Sequence, residues 1–269
     1  AIHKTPAEAA SPRSPLCGVG NASIIPLSVF AWRQWQKDKP LIDYRGLFQW
    51  RYLLGIALYF FGYFIAGTTG FLLPILFSEG LGLSLTTTAL VLSFSFFGSV
   101  AAALLHAAVA SRRPRPRIFM LTGLALYAIA CLGFSQAGRL TDWHLLLLPA
   151  LICGIAIPCF IGPVAFGTFV DLPPKVFSHG YQVKNIVRQL GISSSIALST
   201  VALQFFYARR LAVLPEGFHP DWAQALHGLS GANAGLVSPL TLASGDVFFL
   251  LALSTLPMVL IVIGQRIFR

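Results

Sequence analysis

The residues best suited to handling a solute lie between positions 182 and 204. Gln182, Asn185, Gln189 and Ser193 recur at steps of three and four, and Thr200 and Gln204 continue the same helical face. Lys184, Arg188, Ser195 and Ser199 form a neighbouring stripe, with Gly191 between Arg188 and Ser195. Amides and hydroxyls in this pattern hydrogen-bond a passing molecule or order water. They make no covalent chemistry, because no positioned base accompanies the serines. The flanking sequence is apolar, so the stripe has to face a bundle interior or water; lipid would leave its polar groups unsatisfied. Arg188 falls about one turn inside the expected end of its span, at 1.5 Å per residue. There it either snorkels and pins the helix or meets the solute directly.

Two other apolar stretches are chemically uneven. The first carries Tyr59, Tyr63, Thr68 and Thr69 among Gly55, Gly62, Gly67 and Gly70, which pairs mid-depth hydroxyls with residues small enough for close helix approach. Another carries Pro149, Pro158 and Pro163 with Gly154, Gly162 and Gly167. Each internal proline frees a carbonyl, so this stretch is either a packing kink or the irregular helix that transporters place at a binding site or gate. No Asp or Glu falls inside any long apolar stretch: Asp171 and Asp246 sit at ends, Glu79 and Asp142 in turns. Ion coupling through such a stretch generally uses a carboxylate, which points to energy coupling elsewhere. His106 reads as a packed side chain rather than a proton relay. Cys131, Cys153 and Cys159 read as buried thiols, and His219, His227, Asp221 and Glu216 fit no metal spacing. Neither a metal, a cofactor nor enzyme chemistry is expected.

What must position these groups follows from composition. Among 269 residues there are 19 Lys and Arg and 9 Asp and Glu, while 56% are hydrophobic. A soluble domain carries roughly a quarter charged residues. The apolar sequence gathers into six stretches at about 53–77, 85–110, 118–134, 145–170, 186–206 and 247–263, each near the roughly 20 residues needed to span a bilayer as a helix. The expected fold is therefore an all-α integral membrane protein, a six-transmembrane-helix bundle over 53–269, following a loose N-terminus and linker over 1–52. An external loop is expected over 207–246, with a short interfacial helix near Trp222. The basic residues do not form one nucleic-acid-binding face. They favour one side of the membrane instead: Arg33, Lys37, Lys39, Arg45 and Arg51, then Arg112, Arg113, Arg115 and Arg117, then Lys175, Lys184 and Arg188, then Arg266 and Arg269. Arg139, Arg209 and Arg210 fall on the other. The positive-inside rule puts both ends of the bundle in the cytoplasm of a multi-pass protein of the cell's inner membrane. Residues 1–23 hold no signal-peptide pattern, and 24–32 reads as the tail of a helix or an interfacial anchor. The chain reads as beginning inside a larger protein.

The run Pro40-Leu41-Ile42-Asp43-Tyr44-Arg45, then Leu47-Phe48 and a span opening Leu53-Leu54-Gly55, resembles the start of the C-terminal half of a major facilitator superfamily transporter. Val187-Arg188-Gln189-Leu190-Gly191 is similar to the Arg-Gln-Leu-Gly signature of its fourteen-span drug:proton antiporter branch, the EmrB/QacA type. Where that branch places further glycines, this chain has Ile192 and Ser195. The resemblance implies that the six spans are the last six of the family, with the first and fourth lining a central cavity; the third and sixth, apolar nearly all round, read independently as peripheral. It implies that the basic loop 111–117, with Arg112 and Arg113, helps hold a closed cytoplasmic gate, and that the coupling carboxylate belongs to an N-terminal bundle absent from these residues. The expected function is proton-coupled export of a multidrug or small lipophilic solute by alternating access, together with the missing half or a second copy. The alternative is a six-helix membrane protein that assembles without transporting. Tyr59, Tyr63, Thr68, Gln182, Asn185, Gln189 and Ser193 are the substrate-path candidates, and Arg188, Arg112 and Arg113 the helix-orienting or gate candidates.

Overall fold

The computed structural model describes residues 28–29, 32–33, 44–110, 116–139, 142–212 and 238–265. The chain divides into two units, Ala1–Phe48 and Gln49–Arg269. In the first, residues 28–29 and 32–33 are helical and Tyr44–Leu47 forms a single turn. Residues 1–23 and the rest of 24–32 lie outside the described residues, as do Arg112, Arg113 and the expected interfacial helix near Trp222.

Among the described residues the second unit holds six helices long and apolar enough to cross a membrane. They are α1 (Trp50–Pro74), α2 (Leu85–Ala110), α3 (Pro116–Ser135), α4 (Leu147–Gly167), α5 (Phe177–Ala212) and α6 (Pro239–Gly264). Two begin well before the expected spans. α5 starts nine residues ahead of position 186, because its polar first turns are helical although not apolar. α6 starts at Pro239, capped by Ser238, whose hydroxyl accepts from the Thr241 amide at 3.2 Å. Thr241, Ser244 and Asp246 dilute the hydropathy of that opening. Both ends of the expected 207–246 loop are thus helical, and Arg210 on α5 forks onto Asp246 on α6 at 2.9 and 2.7 Å to tie them together.

The backbone irregularity falls where the proline pattern did not place it. α4 runs unbroken through Pro158 and Pro163. α1 instead widens after Pro74 into a π-helical segment, Ile75–Gly80, in which the Leu81 amide reaches back to the Leu76 carbonyl at 2.9 Å. Gly82, at φ 65°, reverses the chain where a side chain would be strained.

Helix pairing follows the small residues. α1 packs chiefly on α5 and α2 chiefly on α4, while α3 lies between α4 and α6. The first helix of each successive three-helix run thus pairs with the middle helix of the other. With consecutive spans alternating in direction, this is the exchange expected of two inverted three-helix repeats. Lipid gives little hydrophobic drive to such contacts, so close packing has to hold them. A Cβ on Gly154 of α4 would land on the Ser95 carbonyl oxygen of α2, and one on Gly98 of α2 would sit 2.7 Å from the Leu151 carbonyl oxygen. Outward from these seams, Phe96, Phe97 and Leu104 of α2 and Leu198, Val201 and Phe205 of α5 are exposed as a lipid-facing surface would be.

Between α1, α3 and α4 a buried hydroxyl pair sits in a largely apolar core beside the thiols of Cys131 and Cys153. Tyr127 is fully buried and its hydroxyl meets that of Thr69 at 2.8 Å, while Thr69 also donates to the Ile65 carbonyl at 2.9 Å. Thr69 spends its proton on Ile65, so Tyr127 is the donor between them. The two truncations are then unequal. Tyr127→Phe leaves Thr69 bonded and is expected to cost under about 1.5 kcal/mol, whereas Thr69→Val removes Tyr127's oxygen acceptor and is expected to cost about 1–3 kcal/mol. Thermal unfolding of both variants in one detergent checks the order; equal midpoints would contradict this assignment.

Candidate functional site

Two arginines set the end of the bundle at which α1 begins. The Arg51 Nε donates to the Gly167 carbonyl at the end of α4 at 3.2 Å, and its guanidinium pairs with Asp171 at 2.9 Å. Arg117, at the start of α3, donates to the Ile263 carbonyl at the end of α6. Each places a cation on the unpaired carbonyls of a neighbouring helix terminus, where the helix dipole favours positive charge. The buried Tyr52 hydroxyl adds a third tie, donating to the Gly180 carbonyl of α5 at 2.9 Å.

One to two turns deeper, α1 and α5 enclose a cationic and aromatic cluster. The Lys184 ammonium lies 5.1 Å from the ring centre of Tyr59, 5.3 Å from Tyr181 and 5.4 Å from Phe169. Tyr59 and Tyr63, one turn apart, hold their ring centres 4.7 Å apart. Arg188, exposed and one turn beyond Lys184, is close enough to act electrostatically on both Lys184 and Tyr59. Cation–π contact is worth about 0.5–1 kcal/mol at exposed sites and about 2 when desolvated. A Lys or Arg at the bilayer centre costs about 2.5–3.5 kcal/mol on an insertion scale. The rings therefore offset part of the cost of holding Lys184 here, and neither Lys184 nor Arg188 has a carboxylate partner among the described residues.

The seam exists because small residues line it. Gly191 packs against the backbone of α1, where a Cβ would stand 2.9 Å from the Phe60 carbonyl oxygen and 3.2 Å from the Tyr63 Cβ. One turn on, fully buried Ser195 takes the space opposite Gly67, whose own Cβ would fall on the Ser195 hydroxyl. A serine where the resembling branch has glycine is thus matched by a glycine on the facing helix.

The substrate-path candidates separate into three places. Tyr59 and Tyr63 share the seam with Lys184 and Arg188. Gln182, Gln189 and Ser193 are exposed and Asn185 half-buried. Two residues of helix turn the face by roughly 200°, so Gln189 and Ser193 point nearly opposite to Gly191 and Ser195, away from α1. Thr68 lies roughly 13 Å further along α1 than Tyr59 at 1.5 Å per residue. Its hydroxyl is buried without a hydrogen-bond partner among the described residues. His106 is buried against Gly162 of α4 and meets the Phe119 ring edge-on at 5.0 Å. Sequence reasoning passed over Tyr181 and Phe169. Tyr181 was within reach as the residue three before Lys184 on one helix face; Phe169 comes from the α4–α5 connection and gave no periodic signal.

Residues 2–196 match the sequence profile of the Major Facilitator Superfamily. Two curated relatives are the lincomycin resistance proteins LmrB of Listeria innocua serovar 6a and of Listeria monocytogenes serovar 1/2a. Each is 24% identical over 182 residues, covering 66% of this chain and 38% of the relative. The chain thus spans about two fifths of the length of the relatives it matches.

Proposed function

Since the chain belongs to the Major Facilitator Superfamily, and so is a multi-pass membrane protein of transporter type, we propose that it is the C-terminal six-helix half of a proton-coupled drug or small-solute exporter. It works by alternating access, rocking against an N-terminal bundle around a site near the membrane midplane. The ends of the bundle that carry Arg51, Arg117 and Lys175 face the cytoplasm, as the positive-inside rule requires. The observation that carries this reading is the cluster of Tyr59, Tyr63, Lys184 and Arg188 beside an exposed amide face on α5. Polar groups are left uncovered there on a helix that otherwise exposes Leu198, Val201 and Phe205.

The similarity to resistance proteins named for lincomycin supports drug export, and the lengths of those relatives support a second bundle. Among the described residues Glu79, Asp142 and Asp171 lie at or beyond the ends of spans, and Asp246, two turns inside α6, is held by Arg210. Proton coupling therefore resides in the other half. Reconstitution of the intact gene product in proteoliposomes with an imposed proton gradient is expected to give protonophore-sensitive movement of a lipophilic solute. Absence of such movement for any lipophilic cation or organic anion contradicts the proposal. Lys184→Gln is expected to reduce transport about tenfold, equivalent to about 1.4 kcal/mol, with the unfolding midpoint unchanged.

A further inference from the structure

We propose that the seam between α1 and α5 binds an anionic headgroup, a carboxylate or phosphate, carried on a flat or aromatic apolar body. The inference names the ligand chemistry of the site proposed above and rests on that reading for the ligand's being cargo.

Lys184 and Arg188 stand one turn apart on one face of α5, a spacing at which like charges repel. No carboxylate among the described residues pairs with either of them. Glu79, Asp142 and Asp246 belong to the opposite end of the bundle, Asp246 held by Arg210, and Asp171 is paired with Arg51. Two cations therefore share a partly buried seam with no counter-ion among the described residues. The groups around them are hydroxyl-bearing or apolar: Tyr59, Tyr63, Tyr181 and Phe169. An oxyanion between the cations would neutralise the repulsion and accept from a phenol hydroxyl, while its apolar body lies on the rings. A cationic solute would meet two like charges with no acceptor stronger than a phenol oxygen. The carboxylate of an aromatic acid and the phosphate of a phospholipid share this chemistry.

The test compares 2-naphthoate with 2-naphthylmethylammonium, the same ring with opposite charge, binding to the intact gene product in phosphatidylcholine nanodiscs. Naphthoate is expected to bind at least about tenfold more tightly. That preference is expected to vanish in a variant carrying Lys184→Gln and Arg188→Gln, and to persist in Arg210→Gln at the other end of α5. Equal affinities, a preference for the ammonium, or a naphthoate preference undiminished in the double variant each overturn the proposal. Nanodiscs that also contain phosphatidylglycerol separate the sources. Unchanged naphthoate affinity supports an anionic solute, and competitive loss supports a lipid headgroup. Transport does not enter the measurement, so an anion-selective protein that moves nothing overturns the export reading and leaves this one standing.

Discussion

Gly154→Val is expected to detach α2 from the bundle. The Cβ of any residue at 154 would fall on the Ser95 carbonyl oxygen, with the Ser95 carbonyl carbon and Cα at 2.7 and 2.9 Å. All three atoms are backbone, so no rotamer change makes room and the two helices must move apart. Gly98, three residues after Ser95, contacts the Leu151 carbonyl in the same way from the opposite helix, so the separation breaks both close approaches together. α2 has little else to hold it, since α4 is its one extensive helix contact. Overpacking a tight interior costs about 1–3 kcal/mol. Gly154→Ala is expected in that range and Gly154→Val above it. By the scaling for chains of this size, 3 kcal/mol lowers an unfolding midpoint by about 6–12 °C. The measurement is thermal unfolding and monodispersity in detergent. Gly70→Ala is the control: nothing lies within 4 Å of its Cβ position, so the gain in helix propensity, up to about 1 kcal/mol, is uncompensated. A Gly154→Val protein as stable as Gly70→Ala would contradict the α2–α4 contact.

Bilayer length and hydropathy make the six helices legible, because a spanning segment has to satisfy its backbone internally and cover itself with apolar side chains. Where a helix outruns its apolar stretch, as α5 does toward Phe177 and α6 toward Pro239, hydropathy falls silent although the helix continues. The amide face of α5 was legible from spacing alone. Its exposure and the Lys184 cluster were not, for two reasons. Periodicity states which residues share a face but not what the face meets. The cluster also joins Tyr59 to Lys184 and Phe169 across more than a hundred residues of chain. Thr68 and Thr69 show the same limit at one step of sequence. Adjacent hydroxyls on α1 are rotated by about 100°, and only the rotation of the folded helix directs Thr69 at Tyr127. The prolines misdirected attention for a related reason. Pro158 and Pro163 are accommodated within a continuous helix, whereas Pro74, one of many apolar-flanked residues in the sequence, precedes the π segment.

The second large effect is expected at Gly191, and it is of a different kind. Gly191→Val would place its side chain against the Phe60 carbonyl oxygen and the Tyr63 Cβ, forcing α5 outward from α1. α5, unlike α2, also packs on α6 and is tied to it by the Arg210–Asp246 fork, so it keeps an anchor when the α1 contact opens. The stability loss is therefore expected to stay within about 1–3 kcal/mol. The seam cannot absorb the same shift. Lys184 sits 5.1 Å from the Tyr59 ring centre, near the outer reach of about 6 Å for cation–π contact, so an ångström of helix separation removes it. Gly191→Val should therefore remain folded while naphthoate binding and solute transport fall by about tenfold or more, a loss of about 1.4 kcal/mol. Gly191→Ala, with a single methyl, should lie between. Ser195→Gly opens space opposite Gly67 without pushing either helix, so binding should be nearly unchanged while the lower helix propensity of glycine costs about 0.5 kcal/mol of stability. A Gly191→Val protein that binds as wild type would show that the close approach of α1 and α5 does not build the site.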